Sequence, residues 1–215
     1  MKDKSFKPEK FQKGMDITMT DKGLLIVVSA PAGCGKDTIL EYAFNVCNNL
    51  HYSVSATTRH IRPGEEEGVH YFFKNREEFQ ELIKNNELLE HTEYAGNYYG
   101  TPKSFIPKML DAGKDVVMKI EVEGAANIKK LFPECVLVFI LPPSFAELER
   151  RLLKRGTEDT ETIKKRIDIA KIEMSFVKNY DYVIINEKLE NAVDDFAAVI
   201  RSEKLSVKRG LPQIR

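Results

Sequence analysis

A chain of 215 residues in which 33 Lys and Arg balance 33 Asp and Glu suits one sizeable α/β unit with inserted subregions, and is short for two independent cores. Its zero formal charge excludes the global basic field that would hold nucleic acid or an anionic membrane nonspecifically, so any positive site must be local. The three cysteines, Cys34, Cys47 and Cys135, are odd in number and follow no metal-ligand spacing; a reducing, cytoplasmic setting without disulfides is expected.

Residues 1–22 are polar and Lys-rich, without an apolar run of signal-peptide or membrane-span length, and read as a flexible tail. Leu24–Ser29 (LLIVVS) is a continuous β-favouring run, the pattern of a strand covered on both faces of a parallel sheet. A helix is expected over Thr38–Asn48 and a weaker strand over Tyr52–Ala56. From Arg59 to Pro102 the pattern changes to short aromatic segments, HYFF and NYYG, around one helix at Glu77–Asn85; residues 59–102 read as a substrate-binding lobe. Helices over Ser104–Ala112, Gly124–Leu131, Ser144–Lys154 and Thr160–Val177 then alternate with apolar runs at Asp115–Ile120, Val136–Leu141 and Tyr182–Ile185, and residues 205–215 read as a frayed end. The alternation predicts an α/β domain over residues 23–204: a core (23–58 and 103–204) with a central parallel sheet flanked by helices, whose ligands bind beyond the carboxyl ends of the strands.

The segment Ala30-Pro31-Ala32-Gly33-Cys34-Gly35-Lys36-Asp37-Thr38 follows the first strand and opens a helix, which is the context of a phosphate-binding P-loop. Gly33 and Gly35 let backbone N–H groups curl around phosphate oxygens, the helix start adds partial positive charge, and Lys36 spans the terminal phosphates of a nucleotide. Ala30 stands where a Gly is usual and requires a negative φ. Asp37 replaces the Ser or Thr that normally ligates Mg²⁺; beside phosphates it needs a cation, so it is expected to contact Mg²⁺ directly or through water. Thr38 is placed to bond the α-phosphate.

Several motifs follow in order: Ser53-Val54-Ser55-Ala56-Thr57-Thr58-Arg59, Arg62-Pro63-Gly64-Glu65, Gly68-Val69-His70-Tyr71-Phe72, Leu89-Glu90 and Gly96-Asn97-Tyr98-Tyr99-Gly100-Thr101. With the P-loop, and over Gly23 to about Lys204, they resemble the guanylate kinase family of P-loop nucleoside monophosphate kinases. The resemblance implies transfer of the γ-phosphate of ATP to GMP, with dGMP an open alternative acceptor and Mg²⁺ as cofactor. It implies that Arg59, Arg62, Tyr71 and Tyr99 hold the GMP phosphate, with Thr101 also in the lobe. Forked guanidinium groups suit a phosphate, and phenols donate without adding charge. Glu90 is expected to accept from guanine N1–H and N2–H₂, Ser55 to bond O6, and Glu121 to make a second contact to the amino group. Where the family carries an acid two residues before Glu121, this chain has Lys119, which either pairs with Asp37 or points into solvent.

Residues from about 150 to 166 read as a lid. Arg151 and Arg155, four apart on one helix face, and Arg166 match arginines that cover the ATP phosphates in the family. Asn186 sits either at the adenine of ATP or in a turn bonded to its own backbone. The acceptor phosphate is already mostly dianionic, so no general base is needed, and His51, His60, His70 and His91 form no metal-binding group. A monomer or homodimer acting on small molecules is expected, without nucleic acid or membrane partners. Two rivals remain: a noncatalytic binding module of the same fold, and a related P-loop kinase with another acceptor.

Overall fold

In a computed structural model of the chain, the described residues are 17–18, 22–94, 96–154, 160–209 and 213–214. A five-stranded parallel sheet forms the centre, in the order β10 (Tyr182–Ile185), β9 (Val136–Leu141), β2 (Leu25–Ser29), β8 (Asp115–Lys119) and β3 (Leu50–Tyr52). The uninterrupted apolar runs hide a period of two. Leu24, Ile26 and Val28 point into one core with Ile39, Leu40 and Ala43 of α1 (Lys36–Val46) and Ala192, Phe196 and Ile200 of α7 (Leu189–Lys204). Leu25 and Val27 point into the other, with Ile106 and Leu110 of α3 (Phe105–Asp111) and Ala125 and Ile128 of α4 (Val122–Leu131). Burying both faces is what makes the strands read as solid hydrophobic blocks.

The second unit is a four-stranded sheet, β5 (Phe72–Phe73), β4 (Ala56–Thr57), β7 (Asn97–Pro102) and β6 (Leu88–Tyr94), around Ala56, Phe79 and Leu88. Its helix α2 (Arg76–Lys84) starts with a reciprocal capping box between Asn75 and Glu78. This lobe begins at Ala56, three residues before the expected boundary. The strand expected over Tyr52–Ala56 is corrected accordingly: its two ends pair in different sheets, and Ser53–Ser55 carries the chain between them.

Helices α5 (Phe145–Lys154) and α6 (Thr160–Ser175) match the expected elements. Helix α7 does not appear among them, although Ala192, Val193, Phe196, Ala197, Val199 and Ile200 are all buried at helical spacing. The described parts of the two tails, β1 (Ile17–Thr18) and β11 (Gln213–Ile214), pair antiparallel, where frayed ends were expected. No helix among the described residues is long and apolar enough to cross a membrane.

Candidate active site

The P-loop connects the central strand β2 to α1, where the parallel sheet presents its carboxyl ends. Gly33 and Gly35 have φ of 90° and 86°, in the left-handed region that a side chain opposes. Space forbids side chains there as well. A Cβ on Gly33 would come within 2.9 Å of Leu152 in α5, and one on Gly35 within 2.4 Å of Asn186 Nδ2. Ala30 is buried with no positive φ, as its replacement of glycine required. Cys34 is also buried in the core, and burial pushes its thiol up to about 12; it anchors the loop and is not a nucleophile.

A cavity of about 220 Å³ is lined by Ala30, Pro31, Ala32, Gly33, Gly35, Lys36, Asp37 and Thr38, together with Glu121, Arg166, Ile169 and Glu173. A larger cavity, about 930 Å³, opens at the opposite ends of the strands. Six of its charged side chains pair among themselves, Lys129 with Asp181 at 3.0 Å, Arg209 with Glu203 at 2.9 Å, and Lys204 with Asp115. The smaller cavity, lined by the P-loop and its lysine at the carboxyl ends of the strands, is the candidate active site.

Lys119 ends β8 and donates to Asp37 Oδ1 at 2.9 Å, so of the two alternatives for this residue the structure has the ion pair. Glu121 stands at the start of α4 and reaches the phosphate cavity, beside Glu173. Three residues on, Gly124 packs against the other cluster: a Cβ there would lie 3.3 Å from Glu90 Oε2. Glu90 is 9% exposed and accepts a hydrogen bond from Thr101 Oγ1 at 2.7 Å. Burial raises its carboxyl above the usual range, and the Thr101 bond opposes the shift.

Arg59 lies 5.3 Å over the Tyr71 ring, and Tyr99 meets Tyr71 edge-on at 6.1 Å. Its guanidinium also donates to Glu65 Oε1 at 2.7 Å, while the Arg62 backbone N–H donates to Glu65 Oε2 at 2.8 Å. Glu65 thereby fixes the Arg59 fork, and Arg59 in turn holds the Glu65 carboxyl down at about 2. The Arg62 side chain is exposed at the lobe rim, and Ser55 is half-buried just before β4.

Arg151 is clamped, its Nε donating to Glu147 at 2.7 Å and its Nη2 to the Asn186 carbonyl at 2.8 Å. Arg166 lines the phosphate cavity. Arg155 lies outside the described residues, as does the rest of the loop between α5 and α6. Asn186 is not bonded to its own turn: its Nδ2 donates to the carbonyl of Cys34 at 2.8 Å, 152 residues away. Asn186→Ala would strand that buried carbonyl, at a cost of about 1–3 kcal/mol. The expected outcome is a lower melting temperature and a weaker KM for the phosphate donor; an unchanged melting curve would show that the P-loop holds its shape without this bond.

Two site residues escaped the sequence reading. Glu65 was legible only as part of an Arg-Pro-Gly-Glu turn, and Glu173 only by counting seven residues, two helical turns, from Arg166 along one face of α6. Burial first, then the neighbouring Glu121 charge and hydrogen bond, push the Glu173 carboxyl up to about 7, with Lys36 pulling the other way. A folded value above the unfolded one means that the stabilisation is fully present below the unfolded pKa and is lost as pH rises through about 7. The melting temperature of the ligand-free protein should therefore fall between the ordinary value of 4.5 and about pH 7 and level off above it, and Glu173→Gln should flatten that fall. An equal slope in the Gln variant would place the titration elsewhere.

Comparison with known proteins agrees with this geometry. The family profile described as guanylate kinase matches residues 22–203. The chain is 49% identical to a guanylate kinase of Halalkalibacterium halodurans over 88% of its length and 93% of the relative's. It is 50% identical to one of Carboxydothermus hydrogenoformans, over 87% and 92%. A crystal structure of guanylate kinase from Anaplasma phagocytophilum superposes with a TM-score of 0.72 at 34% identity, covering 89% of this chain and 91% of that one.

Proposed function

The chain belongs to the guanylate kinase family, and from that premise we propose that it moves the γ-phosphoryl group of ATP onto GMP, giving ADP and GDP, with the donor in the P-loop cavity and the acceptor in the lobe. The observation that carries this reading is the start of α4. Within four residues it contributes Glu121 to the phosphate cavity and packs Gly124 against the buried Glu90–Thr101 pair, so one rigid helix end sets the distance between donor and acceptor sites.

In this reading Lys36 and the loop N–H groups hold the β- and γ-phosphates, and Thr38 takes the α-phosphate. Arg59, Arg62, Tyr71 and Tyr99 grip the GMP phosphate. Glu90 accepts from the guanine N–H groups, with Ser55 and Thr101 completing the base contacts; Glu121, expected at the guanine amino group, stands instead in the P-loop cavity beside Glu173. Arg166, with Arg151 and Arg155 from the other side of the loop, screens the equatorial oxygens and excludes water from the cavity. Positioning and charge suffice, because the acceptor oxygen is already anionic. Asn186 has committed its Nδ2 to the P-loop, so its contact to adenine falls to the side-chain oxygen.

For Mg²⁺ the donor set fits an ion carried in by the nucleotide: no group of three potential ligands occurs among the described residues, and one Asp37 oxygen already accepts from Lys119. Asp37 and Thr38 would hold it, directly or through water, and the ion would supply charge neutralisation at the phosphates.

A coupled assay of ADP release with ATP, Mg²⁺ and either GMP, dGMP, AMP, UMP or CMP tests the proposal. Turnover with GMP far above the other bases is expected. No turnover with any acceptor, in protein that still binds GMP, would favour the noncatalytic binding module.

A further inference from the structure

Lys119 places an ammonium group where neither phosphate-binding cluster by itself supplies one. It donates to Asp37 Oδ1 at 2.9 Å on the P-loop side and lies 5.5 Å from the centre of the Tyr52 ring, which favours a cation over its face. On the lobe side, the Tyr71 phenol senses the charges of Lys119, Arg59 and Asp37 together, so these groups share one space. Lys119 ends β8, which lies in the sheet between β2, whose end runs into the P-loop, and β3, whose end runs through Ser53–Ser55 into the lobe, so its ammonium sits where the two sites meet.

Resting on the reading that the chain phosphorylates GMP, we propose that Lys119 is a further catalytic residue: its ammonium leaves Asp37 when both nucleotides bind and contacts the oxygens between donor and acceptor. The step needs no proton from it. A GMP phosphate oxygen forms the new bond to the γ-phosphorus, the bond to the ADP oxygen breaks with its electron pair going to ADP, and Lys119 stays protonated throughout. The resting pair is weak enough to be exchanged. The Asp37 side chain is 76% exposed and that of Lys119 35%, and an ion pair so open to water holds loosely. Phosphate anions in a crevice closed to water attract the same cation more strongly. Asp37 keeps the ammonium turned toward the P-loop until they arrive.

Steady-state kinetics of the intact protein with ATP, Mg²⁺ and GMP would test this on Lys119→Met, Lys119→Arg and the double variant Asp37→Asn/Lys119→Met, each with its melting temperature. Lys119→Met should lower kcat about 10- to 100-fold with much smaller changes in either KM, and Lys119→Arg should restore most of the loss. The double variant should be no faster than Lys119→Met. If Lys119→Met destabilises the fold, Lys119→Gln carries the same expectation. A Lys119→Met rate within about twofold of the parent overturns the proposal. So does a double variant that regains the parent rate, since Lys119 would then only neutralise Asp37. A parent that does not turn over GMP overturns this proposal together with the reading beneath it, whereas a parent that does, matched by Lys119→Met, overturns this one alone.

Discussion

Lys36→Ala is expected to reduce kcat for GMP-dependent ADP release about 10³-fold or more, equivalent to roughly 4 kcal/mol of transition-state stabilisation. The lysine opens α1 and lines the phosphate cavity, where the proposed reaction would concentrate charge on the transferred phosphoryl group. Thermal stability should not fall with activity. A cation in the first turn of a helix opposes the macrodipole, so removing it changes stability by only about 0.3–1 kcal/mol, and in the favourable direction. The control is GMP binding by calorimetry, because the lobe residues are untouched. Activity within about tenfold of the parent would remove Lys36 from the centre of the mechanism.

The second large effect concerns the choice of base. Glu90→Gln should lower kcat/KM for GMP by about 10² to 10⁴ while leaving the poor rate with AMP nearly unchanged, so that discrimination collapses. A carboxylate offers two acceptors to N1–H and N2–H₂, whereas an amide offers one and turns a donor toward the other. Adenine presents no such pair of donors, and with the parent it would leave a buried carboxylate unmet. Burial raises the Glu90 carboxyl, which gives two opposed pH effects. The fold is favoured at this position below the unfolded pKa and loses that contribution as pH rises through the raised folded value, whereas GMP recognition requires the ionised form and weakens as pH falls. Glu90→Gln should therefore melt no lower than the parent at neutral pH while losing GMP. Unchanged GMP-over-AMP preference in competition assays would exclude Glu90 as the reader of the base.

How much of this was legible in the sequence depended on how local each cause is. The P-loop was readable because its causes lie within nine residues: glycines at two positive-φ positions, a lysine, and a strand and helix to either side. The partnership of Lys119 and Asp37 was readable only as two complementary charges, since their separation by 82 positions leaves the contact open until β8 is laid beside β2. The role of Asn186 was not readable at all. Its partner is a backbone carbonyl, and no side-chain pattern advertises a backbone acceptor 152 residues away.

The sequence by itself determined the α/β class, the phosphate loop and the set of polar residues in the lobe, because hydrophobic period, glycine conformational freedom and side-chain chemistry are properties of short segments. Only the tertiary structure decided which of them meet: that Ser53–Ser55 leaves one sheet for another, that Glu65 locks Arg59, that α7 closes one face of the central sheet, and that Glu121 shares its space with Glu173. Those outcomes turn on parallel pairing between strands far apart in sequence and on burial, which sets both the neighbours and the proton affinity of a carboxyl group. Neither quantity exists until the chain is folded.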